Sequence, residues 1–553
     1  MRKFFKWTAI VIGFLAIIAI SVYLYLDARY ALPGKYTTGG PLPANQKSFD
    51  VTSYDIHLNI DSKEHSIDGL VIVTLQTLST LPEVELDFLN TFTVSGVEVD
   101  GSEAGFKHQN NKLWIMPDHE LSAGAKKAIK ISYSGKPLTA LYPPWLGGFN
   151  WSKDGDGNDW IGLSCQGEGA KIWLPCKDHP SDEPDSVTLH ITVPDGYYCA
   201  SNGLLRSVTT VQNGSKTFYW GTNYPINLYD ITINIAKYEI AQREYISTSG
   251  SVMPVYYYVL PQNRNRADSL INMAVDMLYT YRKFFGEYPF VNEKFAVVET
   301  DYLGMEHQTV NSYGNRYRYE TIQGNTFDAL MLHEMGHEWW GNKVTVSDWA
   351  DFWIHEGICT YGEALYHLEK SGEAGYHEYM AGILHQVKNT KPIVAGRDVN
   401  SFQSYHPDIY NKGAVLLHSL RFLLGDSVLF KIINDFATDS NYTYQHHVST
   451  DDFIRVVELN AGAAWTPFIT SFLYTTQMPE VVIMRTDERK YSLQLDGVDF
   501  ELPLEVKTEA GVQKMAIGRN PVAMTSDILP VVDERNWFLK KIKLIDETQK
   551  QQQ

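Results

Sequence analysis

The sequence predicts a multidomain α+β protein from three observations: its length, two stretches of period-two hydrophobicity, and a region of mixed helical and extended periodicity between them. At 553 residues the chain exceeds what one hydrophobic core supports, and typical domain sizes divide it into about three or four domains. Apolar residues make up 44% of it and aromatic residues 13%, a composition that excludes a disordered or fibrous chain. A formal charge of −18 with no clustered Lys or Arg excludes nucleic acid as a partner.

At the amino terminus, Arg2, Lys3 and Lys6 precede an uncharged, mostly apolar run from Trp7 to Leu26, the length of a bilayer span of about 20 residues. Residues 1–27 are therefore expected to be a cytoplasmic start and a transmembrane anchor. By the positive-inside rule the body is then exported to a periplasmic or extracellular space. A cleaved signal peptide is the competing reading. Its cleavage site, Ala19-Ile20-Ser21, lies inside an apolar run that continues through Val22-Tyr23-Leu24. Residues 28–48, with Pro33-Gly34 and Gly39-Gly40-Pro41-Leu42-Pro43, read as a stalk.

Residues 49–245 alternate: Tyr54, Ile56, Leu58, Ile60; Val71, Val73, Leu75; Leu189, Ile191, Val193; Tyr229, Ile231, Ile233, Ile235. This period predicts a large antiparallel β domain. Residues 246–475 change period. After the strand at Tyr256-Tyr257-Tyr258-Val259, Leu270, Ala274, Met277/Leu278, Tyr281 and Phe284/Phe285 fit a helix stopped by Gly286, followed by a strand from Phe295 to Val298. Residues 476–553 alternate again at Val481–Met484, Tyr491–Leu495 and Val532–Phe538, predicting a small β domain.

The cysteines Cys165, Cys176, Cys199 and Cys359 form no CxxC pair, which excludes a zinc knuckle or thioredoxin-like motif. A Cys165–Cys176 bridge requires an oxidising compartment. Asp154-Gly155-Asp156-Gly157-Asn158-Asp159 has Cys165 where a calcium loop needs its bidentate glutamate, so it reads as an exposed acidic turn.

The chemistry-bearing motif lies in the middle region: His333-Glu334-Met335-Gly336-His337, then Glu356 after eighteen further residues. On a helix, residues i and i+4 are about 40° apart and one turn apart in height, so both imidazoles can converge on one ion. Two His and one Glu suit zinc and leave a fourth position for water, while Glu334 can take that water's proton. Ala329, Leu332, Gly336 and Trp339/Trp340 support the helix, with Asn325 or Thr326 as its cap and Gly341-Asn342 as its stop. A second helix over Phe352–Glu369 carries Glu356 and, seven residues on, Glu363. Glu363 either hydrogen-bonds a ligand imidazole or is a solvated helix glutamate.

His333-Glu334-Met335-Gly336-His337-Glu338-Trp339-Trp340-Gly341-Asn342 and Asp348-Trp349-Ala350-Asp351-Phe352-Trp353-Ile354-His355-Glu356-Gly357 resemble the gluzincin core of the M1 zinc aminopeptidases, the family of aminopeptidase N and leukotriene A4 hydrolase. Trp173-Leu174-Pro175-Cys176-Lys177-Asp178, Val193-Pro194-Asp195-Gly196 and Ser201-Asn202-Gly203 resemble the family's amino-terminal domain, so the likeness covers roughly residues 49–475. It implies a thermolysin-like α/β catalytic domain followed by a small C-terminal β-sandwich, without the helical domain many relatives carry. It also implies one Zn2+ per chain held by His333, His337 and Glu356, Glu334 as the general base, and peptide substrates with a free N-terminus.

Further site residues follow from the same resemblance. Tyr410-Asn411-Lys412-Gly413 resembles the family's Tyr-x-Lys-Gly, making Tyr410 an oxyanion donor, a role worth about 3 kcal/mol. Tyr405 matches a second family tyrosine or is a packed aromatic. Gln166 falls where the family binds the substrate's α-amine. Leu303-Gly304-Met305-Glu306-His307 stands where the family has Gly-Ala-Met-Glu-Asn or Gly-Gly-Met-Glu-Asn. Glu306 is kept for the amine, Gly304 and Met305 offer a sheet edge to an extended peptide, and His307 and Leu303 alter substrate placement. Rival readings are a zinc endopeptidase, a dipeptide-releasing peptidase, or a non-catalytic surface receptor with the same fold. The sequence carries no signature of oligomeric state.

Overall fold

The computed structural model describes residues 12, 15, 16, 18–23, 26, 29, 30, 32–211 and 214–548. Among the described residues no helix is long and apolar enough to cross a membrane. Half of the expected span, 7–26, lies outside the described residues. The anchor, the membrane as a partner and the exported location rested on the apolar content of that run and on the positive charges before it; with no such helix among the described residues, they are withdrawn. The expected stalk differs too, because Thr38 and Gln46 are buried. Thr38 N–H donates to Gly167 O over 3.2 Å, and Gln46 donates to Asp87 over 2.7 Å.

The chain divides into two units, each built from several segments. The first holds residues up to Val275, Tyr288–Arg318 and Asp398–Gln403; the second holds Asp276–Glu287, Tyr319–Arg397 and Ser404 onward.

The first unit is mostly sheet. An eight-stranded sheet runs in the order Leu204–Thr210, Lys216–Thr222, Ser186–Val193, Phe49–Asp61, Ser66–Thr77, Lys126–Gly135, Phe92–Val99 and Ser102–Glu103. Tyr54, Ile56, Leu58 and Ile60 alternate into the core along its fourth strand, as the period-two pattern requires. Its pairings are antiparallel except that Phe49–Asp61 runs parallel to Ser186–Val193, with His57 opposite His190. A one-dimensional pattern carries alternation but not strand direction, so this exception was illegible. Tyr229, Ile231 and Ile233 lie outside the named strands, and only Asn234–Ala236 pairs. There the buried Thr232 N–H donates to the Asn202 side chain instead of to a neighbouring strand.

A second, five-stranded sheet of this unit has the order Glu239–Ile246, Val252–Val259, Phe295–Glu299, Asn311–Tyr313 and Gly304–Met305. Gly304–Met305 is its edge. The acidic turn joins Gly148–Lys153 to Asp159–Ser164, and Asp154 Oδ1 accepts from its own loop, from Asp156 N–H at 2.9 Å and Asn158 N–H at 2.8 Å. All four cysteines are buried and free, so Cys165 and Cys176 are not bridged.

The first long helix, α1 (Arg264–Phe285), starts in the first unit and from Asp276 belongs to the second. It stops at Gly286, whose φ of 82° suits a residue without Cβ. The second unit continues with α2 (Ala329–Gly336), α3 (Trp353–Gln386), α4 (Asn411–Leu424), α5 (Asp426–Thr438), α6 (Thr450–Ala461) and α7 (Thr466–Tyr474). Non-helical Gly372 kinks α3 soon after its expected end at Glu369.

The carboxy-terminal strands form two small sheets, a β-sandwich. One has the order Val522–Thr525, Lys490–Asp496, Glu480–Asp487 and Lys541–Asp546, and the other Gly511–Ile517, Leu502–Thr508 and Val531–Val532. The strand expected over Val532–Phe538 ends at Val532. Asp533 takes a left-handed φ of 52° and its carboxylate accepts from Trp537 and Phe538 N–H, curling the chain into a turn. Trp537 then stacks on His418 of α4 at 4.6 Å, tying the sandwich to the helices of its own unit.

Candidate active site

Helix α2 is capped by Asp328, whose Oδ1 accepts from Met331 N–H at 3.1 Å. Asn325 and Thr326, the expected caps, instead lie in the strand Asn325–Phe327, which forms a hairpin with Glu320–Ile322. The helix also ends earlier than expected, at Gly336, because Trp340 bridges to Val344 and Gly341 turns the chain at φ 131°. His337 keeps helical dihedrals of −65° and −19°. The i, i+4 relation to His333 therefore survives the early end.

Three donor atoms converge. His333 Nε2 and His337 Nε2 are 3.2 Å apart, and each lies 3.4 Å from Glu356 Oε2. A tetrahedral zinc with donors at about 2.0–2.2 Å sets those donors about 3.3–3.6 Å apart, so two edges of the triangle match the ion and the third is about 0.1 Å short. Glu356 Oε2 is buried and has no hydrogen-bond partner, as an oxygen reserved for a cation would be.

The ring nitrogens facing away are held. His337 Nδ1 lies 2.9 Å from Trp340 O. A carbonyl only accepts, so Nδ1 carries the proton and Nε2 presents its lone pair. His333 Nδ1 lies 2.9 Å from Glu363 Oε1, and the largely buried Glu363 orients that ring. Burial disfavours the charged form of His333, but Glu356 and Glu363 outweigh it and raise its pKa. Burial likewise pushes Glu356 up, and the two imidazoles more than reverse this, keeping it anionic.

The surrounding packing fixes these groups. Glu334 is buried on α2, with a carboxylate oxygen within 4.8 Å of a His337 ring nitrogen. Tyr281 Oη donates to Leu332 O at 2.9 Å, bracing α2 next to His333. Tyr410, at the start of α4, stacks on His333 with ring centroids 5.8 Å apart, and its hydroxyl lies 3.4 Å from that of the exposed Tyr405. Helices α3 and α4 meet backbone to backbone: a methyl group on Gly357 would sit 2.8 Å from Gly413 Cα. This contact sets the spacing of Glu356 and Tyr410. The two glycines, one following each motif, were a signal that sequence reasoning passed over.

The other expected site residues form a cluster inside the first unit. Gly304 and Met305 pair with Tyr313 and Ser312 along the edge strand. Glu306 is 4% exposed, and Gln166 Nε2 donates to its carboxylate. His307 is fully buried, and burial lowers its pKa to about 3, so its ring is neutral. Its tautomer follows from a chain of bonds. Tyr302 Oη donates to Leu163 O at 3.1 Å, so Ser312 Oγ, 3.0 Å away, donates to Tyr302 and accepts from His307 Nδ1–H at 3.0 Å. Nε2 is left as a buried acceptor with no hydrogen-bond partner among the described residues.

The description "Peptidase family M1 domain" matches residues 270–472, and "Peptidase M1 N-terminal domain" matches residues 51–229. The chain belongs to peptidase family M1. It is 25% identical over 411 residues to Leucine aminopeptidase 2 of Vanderwaltozyma polyspora, covering 69% of this chain and 59% of that one. It is 21% identical over 509 residues to Probable aminopeptidase 1 of Sulfurisphaera tokodaii, covering 86% and 61% respectively. The chain thus spans about three fifths of the length of these relatives. An M1 zinc metallopeptidase from Deinococcus radiodurans shares the fold, with a TM-score of 0.65, 24% identity and coverage of 80% of this chain and 96% of that one.

Proposed function

We propose that this family M1 chain is a zinc aminopeptidase that removes the amino-terminal residue of peptides. The reading is carried by one observation: three donor atoms at tetrahedral spacing, with the outer nitrogens of both histidines already engaged. His333, His337 and Glu356 would hold the ion. Zinc bound there supplies Lewis acidity and lowers the pKa of a water to about 7.

The chain's own residues do the rest. Glu334 takes the proton of the attacking water and returns it to the leaving amine. Tyr410 donates its hydroxyl to the oxygen that becomes negative on the tetrahedral carbon. Glu306, oriented by Gln166, grips the protonated α-amine, so cleavage is counted from the free end. Gly304 and Met305 offer backbone groups to an extended peptide, and Tyr405 supports Tyr410. His307 acts through the edge strand rather than on substrate, because its ring is buried. A variant of the Deinococcus protein bound to a Tyr-Ser-Ala substrate and relatives named as aminopeptidases support peptides as the substrate class.

The test is a panel of peptides with free and acetylated amino termini, assayed with and without a chelator. Hydrolysis of the free peptides alone, abolished by the chelator, is the expected outcome. Equal cleavage of acetylated peptides would move the assignment to an endopeptidase.

A further inference from the structure

A second set of metal-ligating side chains stands on the eight-stranded sheet of the first unit. Asp55 and His57 are two residues apart on Phe49–Asp61 and so share a face. His190, on the parallel neighbour Ser186–Val193, is in register with His57. Asp55 Oδ1 lies 2.9 Å from His190 Nε2 and 3.4 Å from His57 Nε2, and the three donor atoms are all within 4.8 Å of one another. The imidazoles stack with centroids 3.9 Å apart and planes inclined by 15°, and Tyr219 stands edge-on to His190 at 4.8 Å.

Two features separate this cluster from a chance pairing of surface residues. Asp55 Oδ1 is shielded from solvent and faces two imidazole nitrogens, at 2.9 Å and 3.4 Å, much as Glu356 Oε2 faces His333 and His337. The histidines also line a groove of about 450 Å3 together with Asp68, Thr192 and Tyr219, which leaves space for a fourth donor.

We propose that Asp55, His57 and His190 form a second divalent transition-metal site. Two imidazoles and one carboxylate select zinc, copper or nickel over magnesium or calcium. An ion there bridges two strands far apart in sequence across the parallel pairing of the sheet, and parallel pairing is slightly the weaker kind. Its effect is to staple the halves of that sheet. The proposal stands independently of the aminopeptidase reading.

The full chain, stripped of metal and titrated with ZnCl2, tests it by calorimetry and by metal analysis after gel filtration. The unaltered chain should bind two equivalents, and His190→Ala and His57→Gln should each bind one while hydrolysing peptides normally. Zinc should raise the Tm of the unaltered chain by more than that of either variant. In a His337→Ala background, Cu2+ should still bind one equivalent with the magnetic-resonance signature of two imidazole nitrogens. One equivalent in the unaltered chain, two in both variants, or no such copper signature would overturn the proposal.

Discussion

The helical cluster of His333, His337 and Glu356 and the strand cluster of Asp55, His57 and His190 carry the same kinds of donor in opposite settings. On the helices each imidazole is oriented through its outer nitrogen, by Glu363 or by the Trp340 carbonyl, and Tyr410 stacks on one of them. On the strands the imidazoles chiefly hold each other by stacking, and the His57 and Asp55 side chains are 43% and 41% exposed. Donor identity therefore does not separate a reactive centre from an adhesive one. Orientation, burial and a neighbouring acid and hydroxyl do.

The largest contrast should come from Tyr410→Phe, which removes a hydroxyl that the strand cluster does not use. It should lower kcat by about 10²–10³-fold with little change in KM, read from steady-state kinetics on a free-amine peptide. The next is Glu363→Ala, which releases the His333 ring and should weaken zinc affinity at the helical cluster by about 10–100-fold while leaving the strand cluster's affinity unchanged. Competition with a chromophoric chelator measures both.

A smaller effect is expected from Gly357→Ala, whose new methyl group meets Gly413 Cα. Overpacking of this kind costs about 1–3 kcal/mol, seen as a lower urea midpoint at constant slope, and activity should fall as α3 and α4 separate. Over a single pH unit, the smallest effect is a pH dependence that reports how dry the helical unit is. Burial depresses the Lys412 ammonium from its ordinary 10.5 to about 8. Between those values the unfolded chain holds a proton that the folded chain has lost, so stability rises with pH across this window, by at most about 1.4 kcal/mol per unit. Lys412→Met should flatten that rise in urea titrations at stepped pH.

What was legible in the sequence follows the range of the interactions. His333 and His337 are four residues apart on one helix, so their convergence could be read directly. Glu363 was ambiguous because seven-residue spacing fixes its face but not its partner, which sits on another helix. The lock on His337 is a backbone carbonyl, and no side-chain pattern announces it. Gln166 and Glu306 came together only through the family resemblance, being 140 positions apart. His57 and His190 were invisible because their meeting depends on a parallel pairing that alternation does not encode. At the amino terminus, the apolar run and the charges Arg2, Lys3 and Lys6 before it did not suffice to fix a structure or a location.

The most direct test of the central claim separates metal binding from proton transfer at the helical cluster. Glu334→Gln keeps the size of the side chain and removes its basicity, so zinc content and kcat should be measured on the same preparation. The account predicts zinc bound as in the unaltered chain and kcat lowered by about 10²–10⁴-fold. Full zinc content with undiminished turnover would contradict it.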